Sequence, residues 1–178
     1  MNEDCNLKLR VSTAEINSRL DVLADKINCE YAGDDLTAIC VLKGSFIFFS
    51  DLVRRLTCRP QLDFIRIASY GKGTVSKHLS LLKDLELSLE GRRVLIVEDI
   101  VDTGRSIDFL MKHLSSRNAI DIKIASLIDK PERRIFDVHV DFRGFEIPSG
   151  FLVGYGLDYA EKYRELPAIY ELEFNEKI

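Results

Sequence analysis

Glu98, Asp99 and Asp102 stand at the end of an aliphatic run and lead directly into Thr103, Gly104, Arg105 and Ser106. These residue types sort into two chemistries. Carboxylates suit hydroxyl groups, magnesium or a proton. Small hydroxyl residues and a glycine, placed where a helix begins, offer donors and unpaired backbone N–H groups to a phosphate. The acids cannot hold that phosphate themselves. A ligand carrying both a phosphate and a diol satisfies both halves, and a ribose 5-phosphate is such a ligand.

The elements that must position these residues lie on either side. Val94-Leu95-Ile96-Val97 is a short β-branched and aliphatic run, the pattern of a strand buried on both faces in a parallel sheet. Ile107, Leu110, Met111 and Leu114 recur at helical spacing. The stretch is therefore strand, acidic turn, helix. In open α/β sheets, ligands bind beyond the carboxyl ends of the strands.

A second strand-to-helix turn comes earlier, at Leu42-Lys43-Gly44-Ser45. A cation, a glycine and a helix N-terminus there favour an anion. It joins an expected strand at 36–42 to an expected helix at 46–56. Upstream, Ser12-Thr13-Ala14-Glu15 is a capping box, and Ile16, Leu20, Leu23, Ala24 and Ile27 mark one face of the helix that follows. Further strands are expected at 62–69, 81–87, 120–128, 138–142 and 168–174. Between the first two of these, Ser69-Tyr70-Gly71-Lys72-Gly73-Thr74-Val75-Ser76-Lys77 has the glycine, hydroxyl and lysine content of a mobile loop.

Composition narrows the class. With 178 residues, 46% apolar and 30% charged, the chain is expected to form one soluble globular domain spanning 1–178. A net charge of −4 argues against a general nucleic-acid binder. No apolar run is long enough to span a membrane, and Met1-Asn2-Glu3-Asp4-Cys5 lacks a secretory pattern. Cys5, Cys29, Cys40 and Cys58 are widely spaced, so a reduced, cytoplasmic protein is expected.

The motif Val97-Glu98-Asp99-Ile100-Val101-Asp102-Thr103-Gly104 closely resembles the phosphoribosyl-diphosphate signature of the type I phosphoribosyltransferases. Leu42-Lys43-Gly44, Ser69-Tyr70-Gly71, Asp129-Lys130-Pro131, Gly144-Phe145-Glu146-Ile147-Pro148, Phe151-Leu152-Val153-Gly154-Tyr155 and Leu157-Asp158-Tyr159 follow in the family's order. Together they resemble the hypoxanthine or hypoxanthine-guanine branch. The resemblance implies an α/β fold with a mostly parallel twisted sheet flanked by helices. It also implies a small hood built from about 1–12 and 138–170, and a flexible lid over about 69–83 that includes Ser69 and Tyr70.

The implied activity is transfer of 5-phosphoribose to hypoxanthine or guanine with Mg²⁺ as cofactor, by an enzyme that usually forms dimers or tetramers. Glu98, Asp99, Asp102, Thr103, Gly104, Arg105 and Ser106 would hold the phosphoribosyl group, and Asp102 would be the catalytic base. Lys43, Gly44 and Arg164 would hold pyrophosphate, often beside a cis peptide preceding the lysine. Lys130 would donate to the purine O6, Phe151 would stack on the base and Leu152 would read its edge. Asp158 would belong to the purine site and hold a second magnesium, with Glu98 and Asp99 serving the first. Two departures are visible: Arg105-Ser106 stands where relatives often have lysine and threonine, and Ser76 is followed by Lys77-His78-Leu79 where many have another glycine. Two competing classes share parts of the pattern. A receiver-type signalling domain also has paired acids after a strand, but near its N-terminus. A regulator with the same fold would carry a nucleic-acid surface, and no basic patch or appended helices are present.

Overall fold

A computed structural model describes residues 5–70 and 78–174. In chain order the elements are β1 (Cys5–Val11), α1 (Thr13–Glu30), β2 (Leu36–Leu42), α2 (Phe46–Val53), β3 (Gln61–Tyr70), β4 (His78–Lys83), β5 (Arg93–Val101), α3 (Arg105–Leu114), β6 (Asp121–Asp129), β7 (Phe142–Glu146), β8 (Leu152–Val153) and β9 (Ile169–Phe174). The capping box forms: the Ser12 N–H donates to Glu15 Oε2 at 2.8 Å, and the Glu15 N–H donates to Ser12 Oγ at 3.3 Å. The five periodic apolar residues of α1 are all buried.

Six strands make one sheet in the order β4-β3-β2-β5-β6-β7, and β1-β9-β8 make a small antiparallel one. In the large sheet only β4 runs antiparallel to its neighbour. Alternation along β5 divides the core. Leu95 and Val97 pack with α1 and α2 on one face; Val94 and Ile96 pack with Ile107, Leu110 and Leu114 of α3 on the other. Burying each of these side chains contributes about 1.5–3 kcal/mol.

Connectivity opens a crevice at one place. From β2 the chain moves outward to β3 on one side, and from β5 it moves to β6 on the other. The β2–β5 pair is thus the point where strand order reverses, the position at which such sheets bind ligands. Pairing of β2 with β5 stops at Cys40↔Val97, whereas β6 stays paired with β5 as far as Val101↔Asp129. From Glu98 onward β5 is open on its β2 side. Glu98 and Asp99 are accordingly inside the strand, not beyond its end as the aliphatic run alone suggested; Asp102 alone lies past Val101.

Several other boundaries differ from the sequence pattern. The helix expected at 46–56 ends at Val53, where the Arg55 and Leu56 N–H groups turn back to Leu52 and Val53 carbonyls and Asn28 Oδ1 accepts from the Thr57 N–H. The strand expected at 138–142 is instead β7. Before it, the Asp141 carboxylate accepts the Ile124 N–H at 2.8 Å, occupying the group a ladder partner would use. β7 lies within the expected 138–170 hood segment yet pairs with β6 in the large sheet. Of the expected lid, 78–83 is β4 and residues 71–77 lie outside the described residues; Ser69 and Tyr70 form the backbone end of β3.

The strand expected at 81–87 stops at Lys83, and Asp63 supplies the reason. This buried carboxylate accepts the N–H groups of Glu86 and Leu87, both at 2.8 Å, and of Phe64 at 2.7 Å. The chain leaving β4 is captured by a side chain of β3 rather than by a ladder. Asp63→Ala should therefore cost about 1.5–3 kcal/mol in urea-unfolding measurements, with Asp63→Asn recovering part of it.

Candidate active site

The β2-to-α2 turn presses directly on the acids. The Leu42–Lys43 peptide is cis. A Cβ on Gly44 would fall 1.6 Å from Asp99 Oδ2, so only glycine lets the turn lie against that carboxylate. Lys43, Gly44, Glu98, Asp99, Ser106, Asp158 and Arg164 line one cavity of about 290 Å³ with the ends of β2 and β3.

A second cavity, about 200 Å³, is the turn from Ile100 to Ile107 itself. Gly104 caps α3 with φ of 83°, which a glycine adopts without strain. Thr103 Oγ1 accepts from the Arg105 N–H at 3.4 Å, and the Thr103 carbonyl accepts from Ile135 and Phe136 at 3.0 and 3.1 Å. The segment after β6 thereby braces the turn. The first N–H groups of α3 face this concavity, an arrangement suited to an anion.

The third cavity, about 350 Å³, is lined by Asp99, Ile100, Asp102, Lys130, Arg133, Gly150, Phe151, Leu152, Leu157 and Asp158. Lys130 is buried, and its Nζ donates to the Gly150 carbonyl at 2.8 Å. Burial pushes its pKa below the ordinary lysine value. The Lys130 N–H also donates to the Val101 carbonyl, tying this lysine to the end of β5. Phe151 is 46% exposed, with edge contacts to Tyr159 and Phe174 at centroid distances of 5.5 and 6.4 Å. Leu152 is held in β8 opposite Glu171.

The three cavities share walls. Ser106 lines the first and second, Ile100 and Asp102 the second and third, and Asp99 and Asp158 the first and third. Every residue singled out in the sequence lies in this ring except Ser69 and Tyr70, whose side chains lie outside the description. The structure adds residues that the motifs did not single out. Ile100 forms an apolar wall between two acids, and its place at a half-open strand end is the only sequence signal it carries. Arg133 Nε lies 3.0 Å from Asp102 Oδ1. Glu161 Oε2 reaches both Lys43 Nζ, at 2.8 Å, and Arg164 Nη2, at 3.4 Å.

Electrostatically the acid pair is unbalanced. Burial, reinforced by the neighbouring Asp99 charge, holds Glu98 well above the ordinary carboxylate range; burial also raises Asp99. Asp158 pairs with Arg164 at 2.8 Å. The described residues contain no cluster of three protein ligands for a metal ion. Magnesium usually takes one or two carboxylates and completes its shell with water and substrate phosphates. Two adjacent desolvated carboxylates with oxygen donors are a site that a hard divalent cation would relieve.

Comparison with known proteins gives a consistent result. The family described as "Phosphoribosyl transferase domain" matches residues 12–160. The chain is 44% identical over 163 residues to the hypoxanthine-guanine phosphoribosyltransferase of Bacillus subtilis (strain 168), covering 91% of each. Among solved structures, a hypoxanthine phosphoribosyltransferase from Staphylococcus aureus superimposes with a TM-score of 0.89 at 38% identity, covering 93% of this chain and 91% of that one. A hypoxanthine-guanine phosphoribosyltransferase from Bacillus anthracis gives 0.88 at 38% identity, covering 95% and 99%. A crevice at the strand-order reversal, an acidic strand end feeding a helix cap, and this similarity along nearly the whole length place the chain in the phosphoribosyl transferase family, with the type I phosphoribosyltransferase fold.

Proposed function

We propose that the chain is a purine-salvage enzyme that transfers 5-phosphoribose from its 1-diphosphate to N9 of hypoxanthine, and of guanine, releasing pyrophosphate and forming IMP or GMP. The observation that carries the reading is the ring of three adjoining cavities about the end of β5. An activated sugar has three parts that match them: a diphosphate at C1′, a phosphate at C5′, and a face of C1′ open to a base.

In this reading the 102–106 turn holds the 5-phosphate through N–H groups and the Thr103 and Ser106 hydroxyls, with Arg105 beside it. Glu98 and Asp99 orient the ribose 2′ and 3′ hydroxyls. Lys43, the Gly44 backbone and Arg164 hold the diphosphate. One magnesium held by Glu98 and Asp99, and a second held by Asp158, would neutralise charge on the leaving group. The base lies between Ile100 and Phe151, with Lys130 donating to O6 and Leu152 along its edge. As N9 forms its bond to C1′ and the bond to pyrophosphate breaks, Asp102 takes the proton from N7. Arg133, with its Nε 3.0 Å from Asp102 Oδ1, places a positive charge beside that carboxylate. Ser69 and Tyr70 belong to a lid that keeps water from a cation-like sugar. The whole chain acts as one domain in the cytoplasm, with the small sheet as hood. Exposed Phe46, Leu62 and Phe64 on α2 and β3 offer an apolar face for a homodimer or tetramer.

Pyrophosphate release from phosphoribosyl diphosphate and magnesium, measured with each purine base in turn, tests the assignment. Turnover with hypoxanthine is expected; no turnover with any base overturns it. Asp102→Asn should lower kcat by about 10²-fold or more while calorimetric binding of phosphoribosyl diphosphate persists. Lys130→Ala should raise the KM for hypoxanthine about tenfold or more with a smaller change in kcat, since it removes a buried donor to the base.

The acid pair predicts opposite effects on stability and activity. In the unfolded chain Glu98 ionises near its ordinary value of 4.5; in the folded chain it ionises only at higher pH. Folded protein thus binds the extra proton, and stability falls as pH rises from about that value to the folded one. Glu98→Gln removes this penalty. With chelator present, its Tm should exceed wild type by a margin that is small in acid and widens toward neutral pH, while transferase activity drops.

A further inference from the structure

The cations assigned to pyrophosphate already have an occupant. One carboxylate oxygen of Glu161 lies 2.8 Å from Lys43 Nζ and 3.4 Å from Arg164 Nη2; the same Arg164 nitrogen is nearer to Asp158 Oδ1, at 2.8 Å, so Glu161 is the main partner of Lys43 and a secondary one of Arg164. Arg164 is three residues beyond Glu161 in the same turn, so local geometry accounts for that contact; Lys43, from the turn after β2, is the partner that the local chain does not supply. The turn is bent to allow it. Ala160, Glu161 and Tyr163 all have left-handed backbones, with φ of 51°, 63° and 75°. Such conformations are unfavourable for residues with a Cβ and persist where surrounding contacts enforce them. The Glu161 N–H is pinned by Asp158 Oδ2 at 2.9 Å, and Tyr159 and Lys162 close the turn with reciprocal backbone bonds. The Lys43 hydrogen bond holds the Glu161 carboxyl below its ordinary value, so it carries full charge.

We propose that Glu161 is a tethered competitor for pyrophosphate: its carboxylate occupies Lys43 and Arg164 in the empty enzyme, gives them up to the diphosphate of the incoming substrate, and competes for them again when product must leave. The proposal rests on the assignment of Lys43 and Arg164 to pyrophosphate made above. Glu98, Asp99 and Asp158 are assigned to magnesium in this cavity, whereas Glu161 has no such assignment, and its negative charge would repel a diphosphate held by Lys43. As an exchangeable group it has a use. Freeing the cations costs the same whichever diphosphate arrives, so the acid weakens substrate and product by the same factor. Substrate, held also through its 5-phosphate and ribose hydroxyls, stays bound after that loss, whereas free pyrophosphate, which has only these contacts, is brought nearer to release.

The size of the effect follows from the fraction of molecules with the cations free. Apparent affinity falls by that fraction, and an exposed ion pair of ordinary strength with a second cation beside it corresponds to about three- to tenfold. The test is calorimetric titration of pyrophosphate with magnesium into the full chain, for wild type, Glu161→Gln, Lys43→Ala and the double variant, with product inhibition measured in parallel. Glu161→Gln should bind pyrophosphate about three- to tenfold more tightly and show a correspondingly lower inhibition constant, with a similar gain in calorimetric affinity for phosphoribosyl diphosphate. Glu161→Ala, which removes the whole carboxylate arm, should behave alike. In the Lys43→Ala background the gain should shrink. Unchanged or weaker pyrophosphate binding in both Glu161 variants overturns the proposal, as does an equal gain with and without Lys43. If Lys43→Ala alone leaves pyrophosphate affinity unaltered, it is the assignment of the subsite that fails.

Discussion

Two neighbouring carboxylates, the buried Glu98 and the half-buried Asp99, stand side by side where β5 loses its β2 partner, and burial raises both above the ordinary carboxylate range. Removing a carboxylate from water costs several kcal/mol, and two side by side cost more. The expense is met by the aliphatic residues just before them, each fully buried between two helical layers. A strand buried on only one face would have less to offset that cost. The parallel sheet, with helices on both sides, is thus a physical requirement of the acid pair rather than a neutral scaffold for it.

The same constraint explains the glycine at the neighbouring turn. Gly44 abuts Asp99 so closely that no side chain fits between them. Contact with this turn, and with β6 on the other side, leaves the acids open only toward the crevice. What remains exposed to ligands is narrow: one carboxylate edge, one helix cap, and a base-sized gap bounded by Ile100 and Phe151. Three cavities that share walls can act on one small molecule. Separate pockets of the same volumes could not.

Charge in this region is balanced by local pairs. Asp102 meets Arg133, Asp158 meets Arg164, and Glu161 meets Lys43. Behind them Asp129, fully buried at the end of β6, is satisfied by Arg134 and Arg143. This last pair of contacts fixes the segment that follows Lys130, whose backbone in turn braces Thr103. Asp102, Asp158 and Glu161 around the crevice are paired in the empty protein with side chains that a ligand could replace, whereas Asp129 beneath it is held by two arginines.

Much of this was readable in the residue order. Val94 to Ser106 contains its own strand, acids and helix cap, because alternation, capping chemistry and turn residues act within a few positions. The helix face of α1, its capping box and the limits of β2 were legible for the same reason. Elements whose ends depend on distant partners were not. Residues 81–87 look like a strand, but Asp63 ends it at Lys83; residues 138–141 alternate, but Asp141 diverts them; and the acids continue β5 because β6 stays paired there after β2 has left. Local order thus determined which groups were available and the chemistry they favour. Only the tertiary fold decided that Lys43, Asp99, Asp102, Lys130 and Phe151 share one crevice, and that Glu161 and Arg133 sit on their partners, because those contacts join segments that pairwise spacing along the chain does not relate.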